Sequence, residues 1–164
     1  MMGGAVVVVE DAGSGLISTR DTVKINQKDM KFSPAIVAVI EGSVIEFPNL
    51  EEAIYHNIFL ELPAQGNMVD LGTYRAGETR YFLAEGEGVI EVFCVIHQRM
   101  YAVVVITDNP YFSNVSEDGR YEIKGVPPGN YTLSLWSVDM ENQCYLKESR
   151  NVNLPDNSTV IVNF

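Results

Sequence analysis

Histidine is nearly absent from this chain: His56 and His97 are the only two among 164 residues. Any site that needs two imidazoles has to use both. Cysteine is as scarce, with Cys94 and Cys144 alone. A bridge between them would take the thiolate out of the densest cluster of metal-binding side chains in the sequence, so no disulfide is expected. Basic residues are few, 11 against 22 acidic ones, for a net charge of −11 and an isoelectric point near 4.5. Nucleic acid, whose phosphates bind basic surfaces, is disfavoured as a partner. The surplus of carboxylates suits solubility and, equally, steered encounter with a basic protein surface. Long apolar runs are missing: Ala5–Val9 and Ala102–Ile106 are far too short to cross a bilayer. The opening Met1-Met2-Gly3-Gly4 has neither the basic nor the apolar region of a secretion signal. Two expectations follow from that, a cytosolic protein or one from which a leader has been removed.

Helical periodicity is missing too. Short runs rich in Val, Ile, Tyr and Phe alternate with Gly, Pro, Asn and Asp turn signals, which predicts an all-β chain. Ala5–Glu10 reads as a first strand, closed by a turn over Asp11–Gly15, and Thr22–Asn26 as a second. Phe32–Val39 leads through a turn at Gly42 into Ser43–Phe47, where Pro48 ends the ladder. In Tyr55–Leu60 the two-residue period puts His56, Ile58 and Leu60 on one face. The same count puts Ile90, Val92 and Cys94 on one face of Val89–Cys94, with Glu91 on the other. A core-facing His56 and a core-facing Cys94 are expected. A further strand, Ala102–Ile106, starts two residues after Met100, so His97 and Met100 fall on a tight connection.

What is present in quantity is ligand chemistry at one place. Cys94-Val95-Ile96-His97-Gln98-Arg99-Met100 packs a thiol, an imidazole and a thioether into one short loop. A Cys and two His in a trigonal set, with a weak axial Met, is the donor set of a blue-copper electron-transfer centre. His56 is the one histidine left to complete it. Against this stands the plain alternative of a buried thiol, a surface histidine and a core methionine, each common alone. Cys144, in Glu141–Leu146, has no His or Met beside it and reads as a passive thiol.

From Asn109 onward the texture changes. Ser116–Ile123 reads as an Asp118-Gly119 hairpin turn entering a strand, Val126–Asn130 as a rigid turn, and Tyr131–Trp136, Asn151–Leu154 and Ser158–Asn163 as strands. With no histidine and no acidic cluster at ligand spacing, this region reads as scaffold. It is too short for a secure core alone and is expected to share one with Ala5–Glu10.

Phe32-Ser33-Pro34, Gly42, Val44, Phe47 and Asn49, then His56-Asn57, then Cys94-x-x-His97-x-x-Met100, resemble the order of landmarks in the cupredoxins, over about residues 22–108. The short Cys-to-His-to-Met spacing is similar to that of amicyanin-type members, whereas plastocyanin and pseudoazurin have longer His-to-Met gaps. Asp118-Gly119-Arg120-Tyr121, Val126–Leu133 and Trp136 resemble a carboxypeptidase regulatory-like (transthyretin-like) β-sandwich. Bacterial methylamine-utilisation or plastocyanin-like proteins combine the two. The chain departs from them in its single histidine at Tyr55-His56-Asn57, where two in a row are frequent, and in having Gln98-Arg99 where a Pro- or Asp-Trp-containing loop is usual.

The resemblance implies a Greek-key cupredoxin β-sandwich over 22–108 and a small additional β-sandwich from 1–21 and 109–164. It implies one copper cycling between +1 and +2, held by His56, Cys94 and His97 with Met100 on the axis. Asn57 would tie the His56 strand to the Cys94 loop and tune the potential through hydrogen bonding near the sulfur. His97 would be the electron port, in an apolar patch for which Ile96, Tyr101 and Met68 are candidates. The implied partner is a redox protein, a cytochrome or a dehydrogenase, and the implied location the periplasm or the cell exterior. Catalysis is not expected, since four protein ligands leave no open position. A binuclear copper centre would need a second Cys close to Cys94. Copper storage or delivery, adventitious zinc in the same ligands, and a metal-free β-sandwich binding module are the competing readings.

Overall fold

The computed structural model describes residues 2–13 and 21–164 of the chain. It is all-β, and no helix forms among the described residues. The strands are β1 (Met2–Glu10), β2 (Thr22–Lys24), β3 (Asn26–Lys28), β4 (Lys31–Ser33), β5 (Ile36–Ile40), β6 (Val44–Pro48), β7 (His56–Leu62), β8 (Asn67–Tyr74), β9 (Thr79–Leu83), β10 (Gly88–Phe93), β11 (Tyr101–Thr107), β12 (Phe112–Asn114), β13 (Gly129–Asp139) and β14 (Cys144–Leu154). The predicted Thr22–Asn26 strand is split at Ile25, whose neighbours join different sheets. Of the predicted turn over Asp11–Gly15, Ser14 and Gly15 lie outside the described residues.

One sheet, in the order β5-β11-β10-β7-β8, is covered on both faces. On one side Val37, Val39, Ile58, Leu60, Ile90, Val92, Ala102 and Val104 meet Ile25, Ile45 and Phe47 from the region of the β2-β6-β9 sheet. On the other, Ile36, Ala38, Tyr101, Val103 and Val105 meet Val6, Val8 and Val138 of the β12-β1-β13-β14 sheet. Double coverage explains why Ile36–Ile40 and the run 101–106 are apolar without alternation, since successive side chains point into different cores. β1 does the same one layer further out: Val7 and Val9 face a third core that includes Leu133, Val162 and Phe164.

The alternation of β7 and β10 runs as expected. His56, Ile58 and Leu60 have no exposed surface, and Ile90, Val92 and Cys94 are buried on the same side. Two C-terminal expectations differ from the structure. The Ser116–Arg120 turn closes through the Ser116 amide and the Arg120 carbonyl at 2.8 Å, but Tyr121–Val126 joins no strand ladder, and neither does Ser158–Asn163. Both keep an inward alternation, with Tyr121, Ile123, Val162 and Phe164 on the third core. Alternation puts side chains on a core, but a strand also needs a hydrogen-bonded neighbour at ladder distance, which these segments lack among the described residues.

Beneath the β7 end of the sandwich lies a small polar network. The Tyr74 hydroxyl sits 2.5 Å from Gln27 Oε1 and 2.8 Å from the Phe47 carbonyl, and Gln27 Nε2 donates to the Asn57 carbonyl at 3.4 Å. Gln27, Tyr74 and Asn57 are all buried. Burial pushes the Tyr74 hydroxyl far above its usual range, so it stays a donor. A Tyr74→Phe variant would leave Gln27 Oε1 without that donor in a dry core, which costs about 1–3 kcal/mol. Urea unfolding should show a lower midpoint at unchanged slope; an unchanged midpoint would mean that the hydroxyl contributes nothing.

Candidate metal centre

Pairing between β7 and β10 brings the donors together. Val92 lies opposite Leu60 and Phe93 opposite Phe59, so one step beyond the ladder Cys94 arrives beside the start of β7, where His56 sits. The connection from Cys94 to Met100 then turns back into β11, with Arg99 in the left-handed region at φ 73°. This tight reversal carries His97 over the end of the sandwich and leaves Met100 buried in the same core as Cys94.

Three ligand atoms converge. Cys94 Sγ lies 3.8 Å from His56 Nδ1 and 3.8 Å from His97 Nδ1, and the two Nδ1 atoms are 3.2 Å apart. The rings meet edge to face at 71°. A point equidistant from the three atoms lies about 2.1 Å from each, among the lengths of metal–imidazole and metal–thiolate bonds, about 2.0–2.3 Å. The donor set therefore fits a single small ion in a trigonal plane. These three residues also form the one His, Cys, Asp or Glu cluster of metal-holding geometry among the described residues.

Protonation favours the same use. Burial lowers the pKa of His56 from its ordinary value, with nearby His97 acting in the same direction and Glu51 opposing both. A neutral imidazole keeps a lone pair for a ligand. The other ring nitrogen, Nε2, lies 3.3 Å from Glu51 Oε1. Glu51 has no motif around it in the sequence; only its place in the Leu50–Tyr55 loop, folded back on β7, brings it here.

Asn57 touches the site from three directions. Its backbone N–H points at Cys94 Sγ at 3.4 Å, its Oδ1 accepts from the Val95 amide at 3.5 Å, and its Nδ2 donates to Asp70 Oδ1 at 2.7 Å. Asp70 is aimed by a bulge. Between the pairs Asn57–Thr73 and Phe59–Asp70 the register slips, and Gly72 takes φ 80°, a conformation glycine adopts without cost. The Gly72 amide donates to the same Asp70 oxygen at 2.8 Å.

The surface near His97 differs from the expected patch. Val95 and Ile96 are exposed there, as is Tyr55 beside His56. Tyr101 is fully buried, facing the second core with its hydroxyl on Glu91. Met68 is exposed but pairs with Glu61, five residues along β7 from His56, or roughly 17 Å at strand rise. Sequence proximity to the loop misplaced Tyr101, because the first residue of a doubly covered strand points inward. Cys94 and Cys144 are both free thiols.

No protein-family model and no curated protein matches the chain. Similar solved structures include a copper-containing nitrite reductase from Thermus scotoductus SA-01, 18% identical over 52% of this chain and 22% of the reductase, at a TM-score of 0.48. The chain thus spans about a fifth of that enzyme. A reduced Cu(I) form of an amicyanin mutant is 14% identical over 62% of this chain and 98% of its own, at 0.48. A purple cupredoxin from Nitrosopumilus maritimus is 18% identical over 52% of this chain and 99% of its own, at 0.44.

The Asp70 contacts generate a pH prediction. The Gly72 amide first, and then the Asn57 amide, hold its carboxyl below the usual range. A carboxyl whose folded pKa is depressed adds stability above its unfolded value of about 3.9 and loses it as pH falls toward the folded one. Asp70→Ala is therefore expected to lower the unfolding temperature at pH 7, with the gap from the parent protein closing below about pH 4. A gap constant down to about pH 2 would contradict a role for the charge.

Proposed function

We propose that the chain is a one-electron carrier built on a mononuclear copper site, with residues 22–108 as the cupredoxin unit and residues 1–21 and 109–164 as a supporting sandwich. The observation that carries this reading is the convergence of His56 Nδ1, Cys94 Sγ and His97 Nδ1 around one point at bonding distance. His56, Cys94 and His97 would hold the ion in the plane, and Met100 would supply a weak axial sulfur. Copper bound there would pass between +2 and +1 and so store one electron. The donor mixture suits both states, thiolate and thioether favouring the reduced ion and imidazole accepting either.

The protein contributes rigidity and access. His56 stands on β7 and Cys94 directly follows β10, paired strands whose inward faces fill the main core, so little has to move when the charge of the centre changes. Asn57 directs its amide at the Cys94 sulfur, which withdraws electron density from it and helps set the potential. His97 is the partly exposed ligand, and with Val95 and Ile96 it forms the face through which a redox protein, such as a cytochrome or a dehydrogenase, would exchange the electron. Carboxylates crowd the opposite end: burial first, and then the nearby charges of Asp108, Glu41 and Asp11, raise the Glu87 carboxyl. Docking at His97 is thus mainly apolar contact, while the net negative charge acts at longer range. Copper–thiolate chemistry suits the periplasm or the cell exterior as the place of work.

One equivalent of Cu(II) added to the purified protein should give an intense thiolate-to-copper absorption band and narrow copper hyperfine splitting in EPR. Cys94→Ala should lose the band. Met100→Gln should keep copper at a lower potential, because a stronger axial donor favours the oxidised ion. A pale parent protein, or a Cys94→Ala variant that stays blue, would overturn the assignment.

A further inference from the structure

We propose that Glu51 is a positioning residue of the centre, one that fixes the tautomer of His56 and adds a permanent negative charge behind it; this rests on the copper reading above. The ring of His56 is completely buried, so the nitrogen turned away from the centre needs a partner inside the protein. That partner is Glu51 Oε1, 3.3 Å from Nε2. A carboxylate only accepts hydrogen bonds, so the Nε2 atom facing it must carry the proton, and the Nδ1 lone pair is left pointing at Cys94 and His97.

Glu51 is itself held in place. Its side chain is 8% exposed, so it has given up most of its water, and the Met30 amide at the β3–β4 turn compensates by donating to the same Oε1 at 2.9 Å. The turn makes that amide available because Asp29 and Met30 both adopt left-handed conformations, at φ 52° and 54°, as two-residue hairpin loops do. Buried Asn49 fixes the loop from the other side. Its Oδ1 accepts from the Glu51 amide at 3.2 Å, and its Nδ2 donates to the Ile54 carbonyl at 2.9 Å. Swinging Glu51 outward would break the Met30 and His56 contacts together.

Among the described residues no lysine or arginine forms an ion pair with this carboxylate, and Lys28 acts on its charge only from a distance. Lys28, the nearby cation, directs its amine to the Leu50 carbonyl at 3.2 Å. A negative charge one imidazole away from the ion favours the more highly charged state, so Glu51 lowers the reduction potential. Orienting carboxylates of this kind change metal affinity by about 10- to 100-fold when they are lost.

Two substitutions separate charge from orientation. Glu51→Gln retains an oxygen that can accept from both Met30 and His56 and removes only the charge. Its copper form should have a raised potential, and His56 in the metal-free protein should keep the proton on Nε2, as read by long-range nitrogen–proton NMR. Glu51→Leu removes the acceptor as well. His56 should then become a mixture of tautomers in the metal-free protein, and Cu(I) affinity, measured by competition with a chromophoric chelator, should fall about 10- to 100-fold. A Glu51→Gln protein at the parent potential, or a folded Glu51→Leu protein with the parent tautomer and affinity, would overturn the inference. If the parent protein binds copper without a thiolate band, the copper reading fails first, and the NMR tautomer of the metal-free proteins still tests Glu51 by itself.

Discussion

The contact between the Asn57 amide and the Cys94 sulfur, 3.4 Å across the β7–β10 pairing, depends on a register that the rest of the site shares. Side chains alternate along a strand, so a slip of one residue would turn His56 or Cys94 to the opposite face and separate them. The register is secured by what lies on either side. Ile58, Leu60, Ile90 and Val92 fill one core, while Tyr101, Val103 and Val105 on the adjacent strand fill the other. A one-residue slip would carry Glu61 or Glu91 into the apolar core, so the alternation of β7 and β10 fixes their alignment. The rigidity that the proposed redox centre would need thus comes from the same apolar packing that folds the chain.

Polar atoms near the site are held in turn by a small number of buried side chains. Gln27 and Tyr74 support the backbone of Asn57 from below, Asp70 fixes its amide from the side, and Glu51 backs His56. Each of these contacts spans different strands or loops, which ties the β3–β4 hairpin, the Leu50–Tyr55 loop and the β8 bulge to the end of the sandwich that carries the ligands. The apolar rim at Val95 and Ile96 lies at that same end, and the crowded carboxylates Glu41, Glu87 and Asp108 lie at the far ends of β5, β10 and β11.

How much of this was readable beforehand follows from how each feature is encoded. The all-β class and the inward faces of β7 and β10 come from a period of two in short runs, a local signal. Of the cluster that the structure brings together, Cys94 and His97 are marked by chemistry and close spacing, and His56 by being the one other histidine; Met100, marked in the same way, is buried in the core that holds Cys94. Glu51, Asp70, Gln27 and Tyr74 carry no such mark. They reach the site through a loop, a bulge and a hairpin whose geometry depends on partners far along the chain. The mistaken patch residues have the same origin: Tyr101 follows the ligand loop directly, yet the second covering sheet turns it inward, and Met68 belongs to the other end of the β7–β8 ladder. At the C-terminus, the apolar residues of Ser158–Asn163 suggested a strand but carried no information about a hydrogen-bonding neighbour, and of that run Val162 reaches the third core.

The central claim is that the chain holds its donors in place before and after the ion changes charge. The most direct test is copper K-edge X-ray absorption of the loaded protein in both oxidation states near neutral pH. The account predicts a shell of one short sulfur and two imidazole nitrogens in the oxidised form, retained with small changes in distance on reduction. A shell dominated by oxygen, or the loss of an imidazole when the electron is added, would contradict it.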